Sequence, residues 1–423
     1  MEGTCPVCGY ESARGDQCEK CATLLDPDQL INPRCKIDGS TPIFKETKHL
    51  YLNFEKIEEK LKSWIEEQKN WRKQVTALAL SWIKEGLKKR SITRDLKWGV
   101  PVPIKGYENK IFYVWFDAPI GYISSTKEWA GKIRKPEEWK KYWTDKKTHI
   151  YNFLGKDNIP FHTIFWPAMV IAHGDYNLPY DVVGLQYLNY EGDKISKSKK
   201  WGIFCEKVID SGVDVNIWRY YFTYLIPETD DTEFKWKEFE DRVNGELVGN
   251  LGNFIHRTLS FIWNNFKGEI KNKNISFFDK QRLRSLQKKE KKIDYLLENV
   301  RLREALAEIL SISSEGNKYF QDNEPWNLIK RDKKRCESIL YFSVNLCKDL
   351  AILIFPYLPK SSEKIFNYLN LPKKASWDDL GKPLKKVKIK KPEILFQKLL
   401  PEKIEELKKK VTEPTRLEEL FKD

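Results

Sequence analysis

Residues 193–200 read Asp-Lys-Ile-Ser-Lys-Ser-Lys-Lys, four lysines around two hydroxyl side chains and one apolar anchor, Ile195. Gly192 precedes the run and Gly202 closes it, so the backbone there can form a tight loop. Ammonium and hydroxyl groups gathered this way suit a polyphosphate in transfer, a reaction that rests mainly on positioning and charge neutralisation. A solvated basic loop is the simpler alternative. Near the amino terminus stand two Cys-x-x-Cys pairs, Cys5-Pro-Val-Cys8 and Cys18-Glu-Lys-Cys21, nine residues apart. Each offers two thiolates from one turn, and together they complete a tetrahedral S4 site for one structural zinc. A redox pair would need only one such motif. Cys35-Lys-Ile-Asp38-Gly39 reads as a further knuckle that has lost a ligand; one thiol and one carboxylate cannot close a site, so no second metal is expected.

Composition narrows the setting. The 423 residues suggest about three domains. A formal charge of +14 fits a nucleic-acid partner through phosphate neutralisation. No run of about 20 apolar residues is present, so no membrane span is expected, and Met1-Glu-Gly-Thr-Cys-Pro has no apolar signal-peptide core. Eight cysteines in so long a chain without a secretion signal point to a reduced, cytoplasmic protein rather than a disulfide framework.

The elements that must position these groups follow from periodicity. Ile57, Leu61, Trp64 and Ile65, then Val75, Leu78, Ala79, Trp82 and Ile83, recur at helical spacing between Phe54 and Lys89. Arg94-Asp95, followed by Trp98-Gly99 and two prolines, makes a rigid, non-helical entry. Residues 111–116, Ile-Phe-Tyr-Val-Trp-Phe, read as a buried strand broken by Asp117-Ala118-Pro119-Ile120-Gly121-Tyr122. Residues 150–154 read as another strand, running into Gly155-Lys156-Asp157-Asn158 and then Phe161-His162. A buried strand that ends in a turn of small and polar residues is where open α/β sheets place ligands. A third strand, 181–190, leads into the lysine loop. Beyond Glu240 the pattern is helical, with Leu247, Leu251, Phe254, Ile255, Leu259 and Ile262 in one stripe. Asn253 and Arg257 lie one helical turn apart and could read a base edge or form an ordinary surface pair. Trp326, after Pro325, could stack on an unpaired base or plug a core. From about Lys385 charge density rises and order is in doubt.

Lys194-Ile-Ser-Lys-Ser198 resembles the KMSKS loop of class I aminoacyl-tRNA synthetases, with Ile195 in the Met slot. Two further runs narrow the resemblance to the methionyl branch, archaeal type. Val114-Trp-Phe-Asp-Ala-Pro-Ile-Gly-Tyr122 is nearly that branch's methionine-pocket signature, and Gly155-Lys-Asp157 with Phe161-His162 and Phe165-Trp166-Pro167 resembles its second one. The resemblance implies that Trp115, Ala118, Pro119, Tyr122, His162 and Trp166 bind methionine. It implies ATP at Arg94, Gly155, Asp157, Leu188, Lys194, Ser196, Lys197 and Ser198, with Lys197 and Lys194 catalytic and Mg2+ accompanying the nucleotide. Asn253, Arg257 and Trp326 match the branch's anticodon readers. A flexible thioether is well held by aromatic faces, at about 0.3–1.5 kcal/mol per contact.

The implied fold is α/β followed by α: the second half of a Rossmann-like catalytic domain with a zinc-knuckle insertion, then a helical anticodon-binding bundle. The implied divisions are 1–48 knuckle, 49–92 helical return, 93–204 catalytic half with the lysine loop, 205–239 stem-contact segment, 240–383 anticodon bundle and 384–423 charged helical or disordered tail. The branch's His-x-Gly-His signature matches none of the five histidines. The expectation is therefore the carboxyl-side half of a split enzyme, charging methionine tRNA together with a separate polypeptide that carries that signature. The rivals are a tRNA-binding protein that has lost activation, and a truncated gene product.

Overall fold

The computed structural model describes residues 1–15, 18–21, 23, 25–196, 200–372 and 376–412. The chain folds as two units, Met1–Gly184 and Leu185–Asp423. The boundary falls inside the stretch expected to form the catalytic half.

The first unit opens with three short antiparallel strands, β1 (Glu2–Thr4), β2 (Ala13–Arg14) and β3 (Ile31–Arg34), with β1 in the middle. Among the described residues Cys5, Ala13, Cys18, Leu25 and Leu30 make up their core. Strand β4 (Tyr51–Leu52) leads to α1 (Glu58–Glu67) and α2 (Lys73–Lys84) and pairs with β5 (Arg90–Ser91) on return. The helical pattern read between Phe54 and Lys89 resolves into these two helices. Leu61 and Ile65 of α1, with Val75, Ala79 and Ile83 of α2, face a core completed by Phe54, Trp71, Ile159, Ile164, Ala168 and Val182. Spacings of four put those side chains on one stripe of each helix.

Strand β6 (Thr93–Arg94) pairs with β7 (Ile111–Phe112). The strand expected over 111–116 is corrected here: it stops at Phe112, and Val114–Asp117 form a helical turn, α3. Aromatic and β-branched residues favour strands, but after the Tyr113 amide donates to Ile92 O at 2.9 Å the amides of Phe116 and Asp117 turn back to Tyr113 O, and Pro119 helps start the helix that follows. That helix is α4 (Ile120–Lys132), followed by α5 (Lys140–Trp143). Strand β8 (Tyr151–Gly155) leads through a tight turn and a π-helical stretch, Phe161–Phe165, into α6 (Trp166–His173). Its sheet partner β9 (Asp181–Leu185) ends the unit. A side chain at Gly184 would lie 2.7 Å from Ile159 Cδ1, so glycine lets β9 pass close against the core.

The second unit begins with β10 (Leu188–Tyr190), antiparallel to β11 (Asp193–Lys194), then α7 (Cys205–Ile209) and α8 (Val215–Tyr224). Strand β12 (Thr232–Phe234) returns parallel to β10. One nearly continuous helical rod follows: α9 (Trp236–Arg242), a π-helical stretch, and α10 (Asn253–Phe266). Strand β13 (Glu269–Ile270), α11 (Phe277–Glu298), α12 (Leu302–Asp322), α13 (Pro325–Arg331), α14 (Lys333–Ile354) and α15 (Pro359–Tyr368) complete the bundle. Every residue of α14 from Ser338 to Ile354 is buried, so this helix is the centre of the bundle and is covered on all sides. Its polar members are matched inside: Asn345 accepts from the Leu384 amide, and Lys348 pairs with Asp349 at 2.7 Å. At Gly316 a side chain would meet the Phe254 ring at 2.7 Å, so glycine brings α12 against α10.

The tail, expected from 384 as charged and either helical or disordered, packs as loops and a short strand before one helix as far as it is described, up to residue 412. Strand β14 (Val387–Lys388) pairs with β13, and α16 (Pro401–Val411) buries Ile404, Leu407 and Val411. The lysines face water while every third or fourth residue is apolar, a pattern that overall charge density conceals. Among the described residues no helix is long and apolar enough to cross a membrane.

Candidate functional site

In the first unit the aromatic residues of two signatures meet. The Trp115 ring stacks on Phe161 with centroids 4.8 Å apart, and Phe161 in turn stacks on Phe165 at 5.3 Å. Tyr122 lies edge-on to Trp166 at 6.5 Å, and its hydroxyl is 2.8 Å from His162 Nε2. His162 Nδ1 lies 2.9 Å from the carbonyl of Asn158. A carbonyl only accepts, so Nδ1 carries the proton; in a neutral ring Nε2 then accepts from the Tyr122 hydroxyl. Burial lowers the His162 pKa and favours that neutral form. The π-helical turn widens the helix just where His162 and Trp166 leave it, a feature that often marks working positions. Pro119 is buried, whereas Ala118, Trp115 and Tyr122 are open to solvent. Trp115 and Tyr122 are 44% and 43% exposed, so they form a wall rather than a closed core.

Gly155 ends β8 and Asp157 sits in the turn after it. Arg94 donates to the carbonyls of Ser91 and Thr93 and lies 3.7 Å over the Tyr113 ring, so its guanidinium is held within its own hairpin. The side-chain oxygen Oδ1 of Asp117 is buried with no hydrogen-bond partner, an open acceptor beside the aromatic wall. Sequence reasoning passed over Asp117, and Phe161 was quoted only as part of a motif.

The four cysteine sulfurs Cys5, Cys8, Cys18 and Cys21 lie within 4.8 Å of one another, and two of the pairs are 3.8 and 3.6 Å apart. Tetrahedral Zn–S bonds of about 2.3 Å imply sulfur separations near 3.8 Å, so the donor set fits zinc. The Cys35 turn repeats the backbone of the first knuckle. The Cys35 amide donates to Ser40 O and the Gly39 amide to Cys35 O, as the Cys5 amide does to Tyr10 O and Gly9 to Cys5 O. In the Cys35 turn the Cys35 thiol and the Ser40 groups hold Asp38 down at about 2.

The lysine loop belongs to the second unit. Leu188 stands in β10 and pairs with Thr232 of β12. Lys194 ends β11, with its ammonium 5.2 Å from the Tyr187 ring centre. Ser196 and Trp201 exchange two backbone hydrogen bonds, of 2.8 and 2.9 Å, which tie the base of the loop. Gly202 has φ +142°, and a side chain there would strike Ile195 at 2.9 Å, so the apolar anchor packs on the closing glycine. Lys197 and Ser198 lie outside the described residues.

Farther along the same unit, α10 and α12 present a second polar and aromatic group. Asn253 Nδ2 donates to Asn317 Oδ1 at 3.0 Å and Arg257 donates to Gln321 Oε1 at 3.2 Å. The Arg257 guanidinium lies 4.4 Å from the Phe320 ring centre and 5.8 Å from that of Trp326. Partial burial lowers its pKa. The three residues singled out from sequence thus share one face, and the structure adds Asn317, Phe320 and Gln321. Their spacing of three and four in one helix was the available signal.

A family profile described as tRNA synthetases class I (M) matches residues 1–259, more than half of the chain. The chain belongs to that family. A second profile, the anticodon binding domain of methionyl tRNA ligase, matches residues 272–415. The methionine–tRNA ligase of Pyrococcus furiosus is 44% identical over 95% of this chain and 57% of its own length. That of Sulfurisphaera tokodaii is 41% identical over 97% of this chain and 74% of its own. The chain therefore spans little more than half the length of the first of these relatives. A Mycobacterium tuberculosis methionyl-tRNA synthetase structure shares the fold, with a TM-score of 0.75 at 23% identity over 90% of this chain and 75% of that one. The architecture is accordingly a class I synthetase catalytic region followed by an anticodon-binding domain.

Proposed function

We propose that this chain takes part in joining methionine to its tRNA. The reading rests on the Tyr122–His162 hydrogen bond set beside the Trp115–Phe161 stack, a polar and aromatic wall suited to a thioether amino acid. Trp115, Ala118, Pro119, Tyr122, His162 and Trp166 hold methionine. Gly155, Asp157, Leu188, Arg94, Lys194, Ser196 and Ser198 position ATP with Mg2+. The methionine carboxylate attacks the α-phosphorus and pyrophosphate departs, with Lys197 and Lys194 neutralising the charge on the transferring and leaving phosphates. A terminal ribose hydroxyl of the tRNA then attacks the carbonyl and AMP leaves. Asn253, Arg257 and Trp326 read the anticodon. Cys5, Cys8, Cys18 and Cys21 hold one zinc that cross-links the knuckle and takes no part in the reaction.

The finer part of the reading is a separate polypeptide carrying the His-x-Gly-His signature, for which none of the five histidines here supplies the pattern. Methionine-dependent ATP–pyrophosphate exchange tests both parts. Exchange by this chain alone removes the need for a partner. Exchange only when a companion polypeptide is added supports it. Background exchange with every companion present ends the catalytic reading. In the active preparation, Lys197→Ala lowers kcat about a hundredfold, the usual scale for losing one preorganised charge donor.

A further inference from the structure

Two neighbouring phenylalanines at the start of α11 stand outside everything described above. Phe277 is 67% and Phe278 77% exposed, with their rings edge to face at 6.0 Å. The buried side of α11 is formed by Asp279, Leu286, Glu290, Ile293 and Leu296, and neither ring joins it. Single exposed apolar residues are ordinary, but two adjacent aromatic rings in water call for a reason.

Their position is fixed firmly. Ser276 and Asp279 exchange side-chain and backbone hydrogen bonds, which close the first turn of the helix. Asp279 also accepts from the Tyr319 hydroxyl at 2.9 Å and from Arg335 at 2.6 Å. Tyr319 is the residue before Phe320, whose ring carries Arg257. The phenylalanine pair is therefore pinned to the same end of α12 as the Asn253–Arg257–Trp326 face.

The surroundings favour an RNA over a protein partner. Between residues 271 and 289 the only carboxylate is Asp279, buried and paired with Arg335, while Lys271, Lys273, Lys280, Arg282, Arg284 and Lys288 carry positive charge; Lys289 is paired with Glu308 and Glu315 of α12. Exposed aromatic rings in a basic stretch bind single strands by stacking on bases while cations take the backbone.

We propose that Phe277 and Phe278 form a second stacking platform, which holds unpaired bases of the tRNA anticodon loop next to those met by Arg257 and Trp326. The platform rests on the tRNA reading above. Binding of the full chain to two RNAs tests it: a hairpin with the anticodon stem and loop of a methionine tRNA, and a blunt duplex of the same stem. The F277A/F278A variant lowers hairpin affinity about tenfold, leaves duplex affinity unchanged and keeps the slope of log K against log salt, because no cation is lost. F277L/F278L shows the same loss, since leucine keeps apolar area without a flat ring face. Hairpin affinity within about twofold of wild type overturns the platform, as does full recovery with leucine, which would mark an apolar protein-docking patch. If the unmodified chain binds neither RNA, the tRNA reading itself falls.

Discussion

The two units differ in how they bury their aromatic residues. In the second, Trp218, Tyr220, Tyr221, Phe234 and Phe239 are almost wholly buried in a core that runs from Tyr190 to Val411. In the first, Phe54, Trp71, Trp143 and Trp166 are buried but Trp98, Trp115, Tyr122 and Phe153 face solvent, and among the described residues the core falls into three small clusters, one of them around the cysteines. A large single core supplies its own stability, so its few exposed aromatic residues are free for contact. Small separate cores leave aromatic surface for ligands, and the smallest of them gains most from the zinc cross-link proposed for its four cysteines.

Removing the cross-link is the sharpest way to break this contrast. With zinc held by the four thiolates as proposed, chelation or Cys18→Ala unfolds the three-stranded segment around β1 and leaves the second unit protected in hydrogen exchange; structural zinc is worth on the order of 10 kcal/mol to such a segment. Next comes the aromatic core. Trp218 stacks on Phe239 at 4.8 Å and is 1% exposed, so Trp218→Ala lowers denaturant stability of the second unit by about 3–5 kcal/mol. The control, Trp98→Ala at 89% exposure, costs about 0.5 kcal/mol or less. Equal losses would erase the distinction.

The second unit also carries a pH signature. Burial, with the Asp349 carboxylate nearby, raises Glu290 to about 7. Because its folded pKa lies above the unfolded one, the unfolded chain gives up this proton first. Stability is then unaffected below about pH 4.5 and falls as pH rises toward 7. Glu290→Gln therefore gains on the order of 2–3 kcal/mol over the native chain at pH 8 and little at pH 4, read from denaturant midpoints across pH. The smallest effect belongs to the first unit's wall. Tyr122→Phe removes one hydrogen bond to His162 and raises the methionine KM about three- to tenfold, with the fold untouched. A loss of stability there instead would make Tyr122 a core residue.

Much of this was legible from local pattern. The two Cys-x-x-Cys pairs announced a four-sulfur cluster because short turns present adjacent thiols whatever surrounds them. The spacing of Val75, Ala79 and Ile83 announced α2 because an apolar stripe needs only a neighbouring surface. Strand 111–116 misled, because a strand exists only where another chain segment supplies hydrogen bonds, and that supply ends with the bond from the Tyr113 amide to Ile92 O. The tail after 384 was left open between helix and disorder for the converse reason: net charge hides Ile404, Leu407 and Val411, which find a long-range core.

By itself the sequence determined the kinds of chemical group and their local turns: the lysine loop between Gly192 and Gly202, the paired cysteines, and the aromatic signatures around Trp115 and His162. Only the tertiary structure decided which groups meet. It joined Tyr122 to His162 across 40 residues, laid Arg257 on Phe320 across two helices, and tied Asp279 to Tyr319. Spacing along a chain fixes neighbours within a turn or two, whereas contacts between distant segments are set by how whole faces pack.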